Sequence, residues 1–263
     1  MQYSTFIGLV VGGVGLLLGG QALAFKLNGS HWAYMPNPMG ENWTICPDGM
    51  PGNAVQRTKD GSTAWNYDRF HFTFDSEACL PNRTYPVLNS VNQIDFGPLP
   101  LGALANTVAF FFSDAPDQAV ECDMRFNSAL NWYTGTGTPA ANQFDWWSVA
   151  THEMGHCLGL DHEDSVTPLP VMRTTLAVGA VMRQLTADDS TGRNAIYGQP
   201  PGGSGGSIAP ASAAPASGGG GGGCSLMPGG LTDAAALFAA LGNIVLPLVG
   251  LVVLRVWSRR RAL

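Results

Sequence analysis

The stretch THEMGHCLGLDH, residues 151–162, decides how the rest of the chain is read. It sets His152, His156 and His162 at fixed spacings, with Glu153 directly after the first imidazole. On an α-helix, residues four apart share a face one turn apart, so His152 and His156 can hold one ion between them. Gly159 permits the positive φ that ends a helix and reverses the chain, and the reversal brings His162 back as a third ligand. Three protein ligands leave the fourth position of a tetrahedral zinc site to water, as hydrolysis requires. Glu153, beside the ion, is placed to take a proton from that water. The competing reading of the same residues is a closed zinc site, completed by a fourth protein ligand, that only holds the fold.

Local patterns support a helix there. Asp145 is a good N-cap for a helix running to about Leu158, with Trp146 and Trp147 in its first turn as core and rim packing. Upstream, His31-Trp32-Ala33-Tyr34 reads as a first strand, and residues 53–65 read as a helix that Gly61 weakens. Residues 70–74 alternate aromatic and polar side chains as a strand does, and 107–112 is an apolar run fit for a buried strand. Residues 119–127 form another strand, with Val120, Cys122, Met124 and Phe126 on one face and Glu121, Asp123 and Arg125 on the other.

HEMGHCLGLDH resembles the extended zinc motif of the metzincin metallopeptidases. The resemblance implies a methionine turn beneath the metal. Met172, in Pro170-Val171-Met172, is its best match, with Met182 as the rival. Residues 185–198, LTADDSTGRNAIYG, resemble the closing helix of the matrixins, with paired Asp188 and Asp189 and a terminal Tyr197-Gly198. As residues, the two carboxylates suit the N-terminal turn of a helix; the resemblance adds a tie to the methionine turn and a seat for the mature N-terminal ammonium. Glu163 departs from the matrixin pattern, which has Ser there, and is more typical of astacins.

The resemblance spans about 121–198 strongly and implies an α+β, metzincin-like zincin domain over 25–198: a twisted mixed sheet, an active-site helix and a C-terminal helix. It also implies that residues 173–185 line the main specificity pocket. Strand 119–127 is expected to form the upper edge of the cleft, where an extended peptide can add main-chain hydrogen bonds. One catalytic zinc is the expected cofactor. Many matrixins add a structural zinc and calcium on a separate His/Asp cluster. No such ligand set for Ca2+ is evident here, and His31 and His71 read as packing residues.

The chain has 263 residues, 45 % of them hydrophobic, enough for one domain with a core plus appendages. Its net charge is −6 although Arg255, Arg259, Arg260 and Arg261 crowd the last nine positions, so the body is more acidic still, which argues against nucleic acid as a partner. Residues 1–24 read as a secretory signal: an apolar run ends at the small-x-small site Ala22-Leu23-Ala24, and the mature chain begins at Phe25. Only 25–52 then precede the first helix, which leaves no room for a propeptide. Cys46, Cys79, Cys122 and Cys157 make an even set in an exported domain and suggest two disulfides. Of the three possible pairings, Cys46–Cys79 with Cys122–Cys157 is preferred, because strand 119–127 is expected to pack over the helix that carries Cys157. A free thiol or a further metal ligand is the other reading of Cys157.

Residues 199–223 are a Gly/Ser/Pro-rich linker. Cys224 follows, then an apolar run over 231–254 long enough to span a bilayer as a single C-terminal transmembrane helix, then the arginines, which place that end in the cytoplasm. This tail resembles bacterial C-terminal sorting signals, so Cys224 is a candidate processing site and a sorting peptidase a candidate partner. The sequence thus reads as an exported zinc endopeptidase acting on protein or peptide substrates, at the cell surface or in the periplasm or extracellular space, tethered by its tail or released from it. The alternative is a surface binding module that keeps a zinc-stabilised peptidase fold without catalysis.

Overall fold

Alternating side chains over 118–127 make the longest strand, and the sheet is assembled around it. The computed structural model describes residues 24–32, 40–81, 84–200 and 225–226. In chain order the elements are β1 (Lys26–Leu27), β2 (His31–Trp32), β3 (Gly40–Ile45), α1 (Ala54–Thr63), β4 (His71–Ser76), β5 (Asn92–Gly97), β6 (Ala105–Phe111), β7 (Gln118–Asn127), β8 (Trp132–Tyr133), β9 (Phe144–Asp145), α2 (Trp146–Leu158), β10 (Leu160–Asp161), β11 (Thr175–Leu176), α3 (Ala187–Tyr197) and β12 (Ser225–Leu226). The strand read at His31 is therefore preceded by another, which pairs with β10 just past the helix α2.

The main sheet runs β4, β3, β5, β7 in parallel, with β2 added in parallel at the start of β7 and β6 antiparallel along the other side of β7. This corrects one expectation. Strand 119–127 is bonded on both sides and cannot rim a cleft; β6 is the edge. Glu121 and Asp123 do face away from the core, but they are as buried as Cys122 and Met124. The segment before β5 folds over them: Asp123 accepts from the N–H groups of Val87 (2.9 Å) and Gln93 (3.3 Å), and Glu121 accepts from those of Asn89 and Ser90. Arg125 on the same face is clamped by both oxygens of Asp95 and lies under the Tyr85 ring.

Helix α2 lies on the other face of the sheet. All but one of its thirteen residues are buried, Ser148, Thr151, His152, Glu153 and His156 among them, so these polar side chains need partners inside the fold. Three indoles lock the helix in place: Trp65 Nε1 donates to Thr151 O (2.7 Å), Trp146 Nε1 to Thr58 Oγ1 (2.9 Å) and Trp32 Nε1 to Cys157 O (2.9 Å); a fourth, Trp43, ties β3 to β7 through Cys122 O (3.2 Å). Disulfides Cys122–Cys157 and Cys46–Cys79 tie β7 to the last turn of α2 and the end of β3 to the segment after β4. Closing loops of 35 and 33 residues in the unfolded chain is worth about 3–4 kcal/mol each in the chain-entropy account.

Among the described residues no helix is long and apolar enough to cross a membrane. Residues 1–23 of the expected signal (1–24), Ala33-Tyr34 of the first strand read at 31–34, residues 201–223 of the expected linker (199–223), Cys224, the apolar run 231–254 and the terminal arginines lie outside the described residues.

Candidate active site

Helix α2 begins where Asp145, in extended conformation, accepts from the N–H of Ser148 (3.0 Å), which satisfies one orphan donor of the first turn. It ends at Gly159, with φ 115°. A side chain is excluded there twice over, since a Cβ would also meet Ser30 O at 2.3 Å. The chain then turns through β10 to His162. The outcome is a triangle of Nε2 atoms: His152 to His156 3.0 Å, His156 to His162 3.2 Å, His162 to His152 3.3 Å. Tetrahedral zinc with bonds of about 2.0–2.1 Å would hold its nitrogen ligands about 3.3–3.4 Å apart, so the triangle fits the ion closely.

The tautomers fit as well. His152 Nδ1–H donates to Val171 O (2.8 Å) and His156 Nδ1–H donates to Leu160 O (2.9 Å). Each bond leaves a bare Nε2 lone pair facing the centre, which is how ligand histidines are commonly oriented. Burial first, then the neighbouring imidazoles, push His152 well below the usual histidine range and His156 down to about 4. Both are therefore neutral and ready to ligate near pH 7.

Glu153 is fully buried beside His152, and Thr107 on β6 donates to its Oε2 at 2.6 Å. Sequence reading passed over Thr107. The only signal was a hydroxyl inside an otherwise apolar strand.

Met172 and Met182, the two methionines weighed for the turn, are placed differently. A Cβ on Gly155 would sit 2.3 Å from the Met172 sulfur, so Met172 lies against the helical turn that carries His156. Met182 instead sits near the start of α2, its N–H donating to Ser148 Oγ (2.6 Å). Asp189 fixes the turn. Its oxygens accept from Val171 N (3.0 Å) and Met172 N (3.2 Å) while it closes a capping box with Thr186 at the start of α3. Asp188 accepts from the N–H groups of Ala24 (2.7 Å) and Phe25 (3.1 Å). Glu163 is buried next to the third histidine. Its N–H donates to Met172 O (2.8 Å), and its carboxylate receives Ser165 and stands 3.5 Å from Lys26 Nζ.

Segment 173–185 is fastened at both ends. Thr174 N donates to Asp164 (2.9 Å) just past His162. Arg183 forms a two-pronged pair with Asp145 (2.6 and 2.8 Å) and donates to carbonyls of 135–137. Trp147 is held between the Arg57 and Arg183 guanidiniums, at 5.2 and 4.8 Å. Of the residues singled out in sequence, the rings of His152, His156 and His162 come together, while His31 on β2 and His71 on β4 stay on the sheet.

Residues 99–198 match the family model described as matrixin. Stromelysin-1 of Equus caballus is 31 % identical over 86 residues, 33 % of this chain and 17 % of that protein. Matrix metalloproteinase-20 of Homo sapiens is 35 % identical over 100 residues, 38 % of this chain and 18 % of that one. The chain thus spans less than a fifth of the length of these relatives. Among solved structures, that of myroilysin aligns with 67 % of this chain and 99 % of its own, at 12 % identity and a TM-score of 0.38.

Proposed function

We propose that the chain, whose residues 99–198 match the matrixin family model, acts as an exported zinc endopeptidase whose general base is Glu153. The observation that carries this reading is the convergence of three imidazole Nε2 atoms beside a buried carboxylate. A zinc ion held by His152, His156 and His162 would polarise the scissile carbonyl and lower the pKa of an attacking water towards about 7. Glu153 accepts the proton that water gives up and delivers it to the leaving amine, which serves both halves of the reaction. Val171 and Leu160 carbonyls keep the two helical histidines in the ligating tautomer. Thr107 holds the base in its orientation. Met172 supplies an apolar floor and no ligand bond.

Export is supported by the signal-like N-terminus and by the two disulfides, which persist in oxidising compartments. Cleavage after Ala24 would convert the Phe25 N–H into an ammonium already 3.1 Å from Asp188. Tethering through 231–254, and processing at Cys224, rest on sequence alone.

The test separates metal binding from catalysis. Glu153→Ala should keep one zinc per chain and a folded domain while losing about 10²- to 10⁴-fold in hydrolysis of a quenched peptide. His162→Ala should lose zinc and activity together. If the parent cleaves nothing in a mixed peptide library while Glu153→Ala still binds peptide as the parent does, the protein is a binding module. If Glu153→Ala cleaves at the parental rate, the base has been misassigned.

A further inference from the structure

The pairing of β11 with β12 points to an occupant of the cleft that belongs to the chain itself. β11 starts three residues after Met172, and Thr174, immediately before it, is bonded through its N–H and its hydroxyl to Asp164, two residues past His162. Leu176 is buried, so the strand is anchored from below. β11 is thus held next to the segment that carries His162. Along it lies β12 in parallel, with Thr175 opposite Ser225 and Leu176 opposite Leu226. Among the described residues β11 has no other strand partner. Ser225–Leu226 belongs to the same compact unit as the site although it follows α3 by more than twenty positions.

A strand edge offers its N–H and C=O groups to any extended segment of suitable direction. Two residues of ladder bind weakly on their own. Ser225–Leu226, however, is joined covalently to the domain that carries β11, so its docking is intramolecular and is not diluted with the protein as a separate peptide is. Weak docking in trans then becomes substantial occupancy in cis.

We infer that the chain's own residues 225–226, paired along β11, compete there with peptide substrates. The inference rests on the peptidase reading only for its consequence; the docking stands on the strand pairing. An intrachain competitor raises the apparent KM and leaves kcat alone. The tail is in that sense a built-in restraint.

The test uses the full chain and the double variant S225P/L226P, whose prolines have no N–H to give to a ladder. Backbone amide exchange at residues 175–176 should be faster in the variant than in the parent, with the two melting alike. The apparent KM for a quenched peptide should fall about 2- to 10-fold at unchanged kcat. An eight-residue peptide copying residues 221–228 with C224S, added at millimolar concentration, should restore both the protection and the KM. Equal exchange at 175–176 in parent and variant overturns the inference, as does a change confined to kcat. A difference in exchange that the peptide reverses, in a chain that cleaves no substrate, upholds the docking and removes the peptidase reading instead.

Discussion

Thr107 Oγ1 donates to Glu153 Oε2 at 2.6 Å, with both side chains shut away from solvent. The bond spans the sheet–helix interface, so the edge strand β6 sets the orientation of the carboxylate that the proposed mechanism uses. Hydrogen bonds to charged groups are worth about 1.5–3 kcal/mol. Thr107→Val keeps the shape and removes the donor. It should lower kcat/KM about 10- to 100-fold, since 1.4 kcal/mol is a factor of ten. Zinc per chain should stay at the parental value, and Thr107→Ser should recover most of the rate. Parental kinetics in Thr107→Val would show that the bond does not position the base.

Asp189 links the last helix to the metal site. It accepts from Val171 N and Met172 N and from the Thr186 N–H and hydroxyl, and Val171 O in turn orients His152. Asp189→Ala removes both the cap and the turn's anchor, so a loss of about 2–4 kcal/mol is expected from the capping and charged hydrogen-bond terms together. Loss of a partner that orients a ligand typically costs about 10- to 100-fold in metal affinity. Chelator competition should therefore show weaker zinc binding in this variant even below its melting temperature. Unchanged affinity would confine Asp189 to helix capping.

The site was more legible than the sheet. Histidine spacing, the helix from Asp145 to Leu158 and the glycine reversal follow from backbone geometry that sequence spacing reports directly. The rim strand does not. Residues 107–112 read as buried because they are apolar, and 119–127 read as an edge by resemblance. Yet which strand keeps a free hydrogen-bonding edge depends on neighbours in the sheet plane, and side-chain alternation reports only the direction perpendicular to it. Glu121 and Asp123 were legible as a polar face but not as a buried one, because what covers them is the backbone N–H groups of residues 87–93, which carry no side-chain signature. Thr107 was missed for a similar reason: its partner lies 46 positions away.

Gly61 shows the same limit from the opposite side. Propensity alone counts it against a helix by about 1 kcal/mol, yet α1 runs through it. A Cβ there would lie 2.7 Å from Thr151 N and 2.9 Å from Ala150 Cβ, so the residue is where α1 and α2 touch backbone to backbone. Gly61→Ala gains propensity but must push α2 away, and the obstructing atoms belong to main chain and a methyl stem that cannot swing aside. Overpacking of this kind costs about 1–3 kcal/mol, so a net fall in melting temperature is expected, with weaker zinc binding because His152 adjoins the displaced residue. A rise in melting temperature would mean that α1 shifts without strain.

Two buried groups give the metal-free fold opposing responses to acid. His156 is held down to about 4, by burial first and then by His162, from an ordinary value of 6.5, and His152 is lowered for similar reasons. The unfolded chain therefore takes up protons on these residues before the folded one does, and stability drops as pH falls from about 6.5 to about 4. Asp123 works the other way. Burial, helped by the charge of Glu121 and opposed by the Val87 and Gln93 N–H groups, pushes it up to about 7. Over the window from about 7 down to the ordinary aspartate range the folded state binds the extra proton, so this residue adds stability as pH falls. In the metal-free parent the two trends offset one another. Asp123→Asn removes only the second. Its absolute melting temperature should drop, because an amide cannot accept from all the donors that surround Asp123. The informative quantity is the slope: between pH 7 and 4 the variant should lose melting temperature more steeply than the parent. Calorimetric scans of both chains in chelator across that range would measure it. Parallel profiles would show that Asp123 ionises alike in the folded and unfolded chain, and a shallower profile in the variant would reverse its sign.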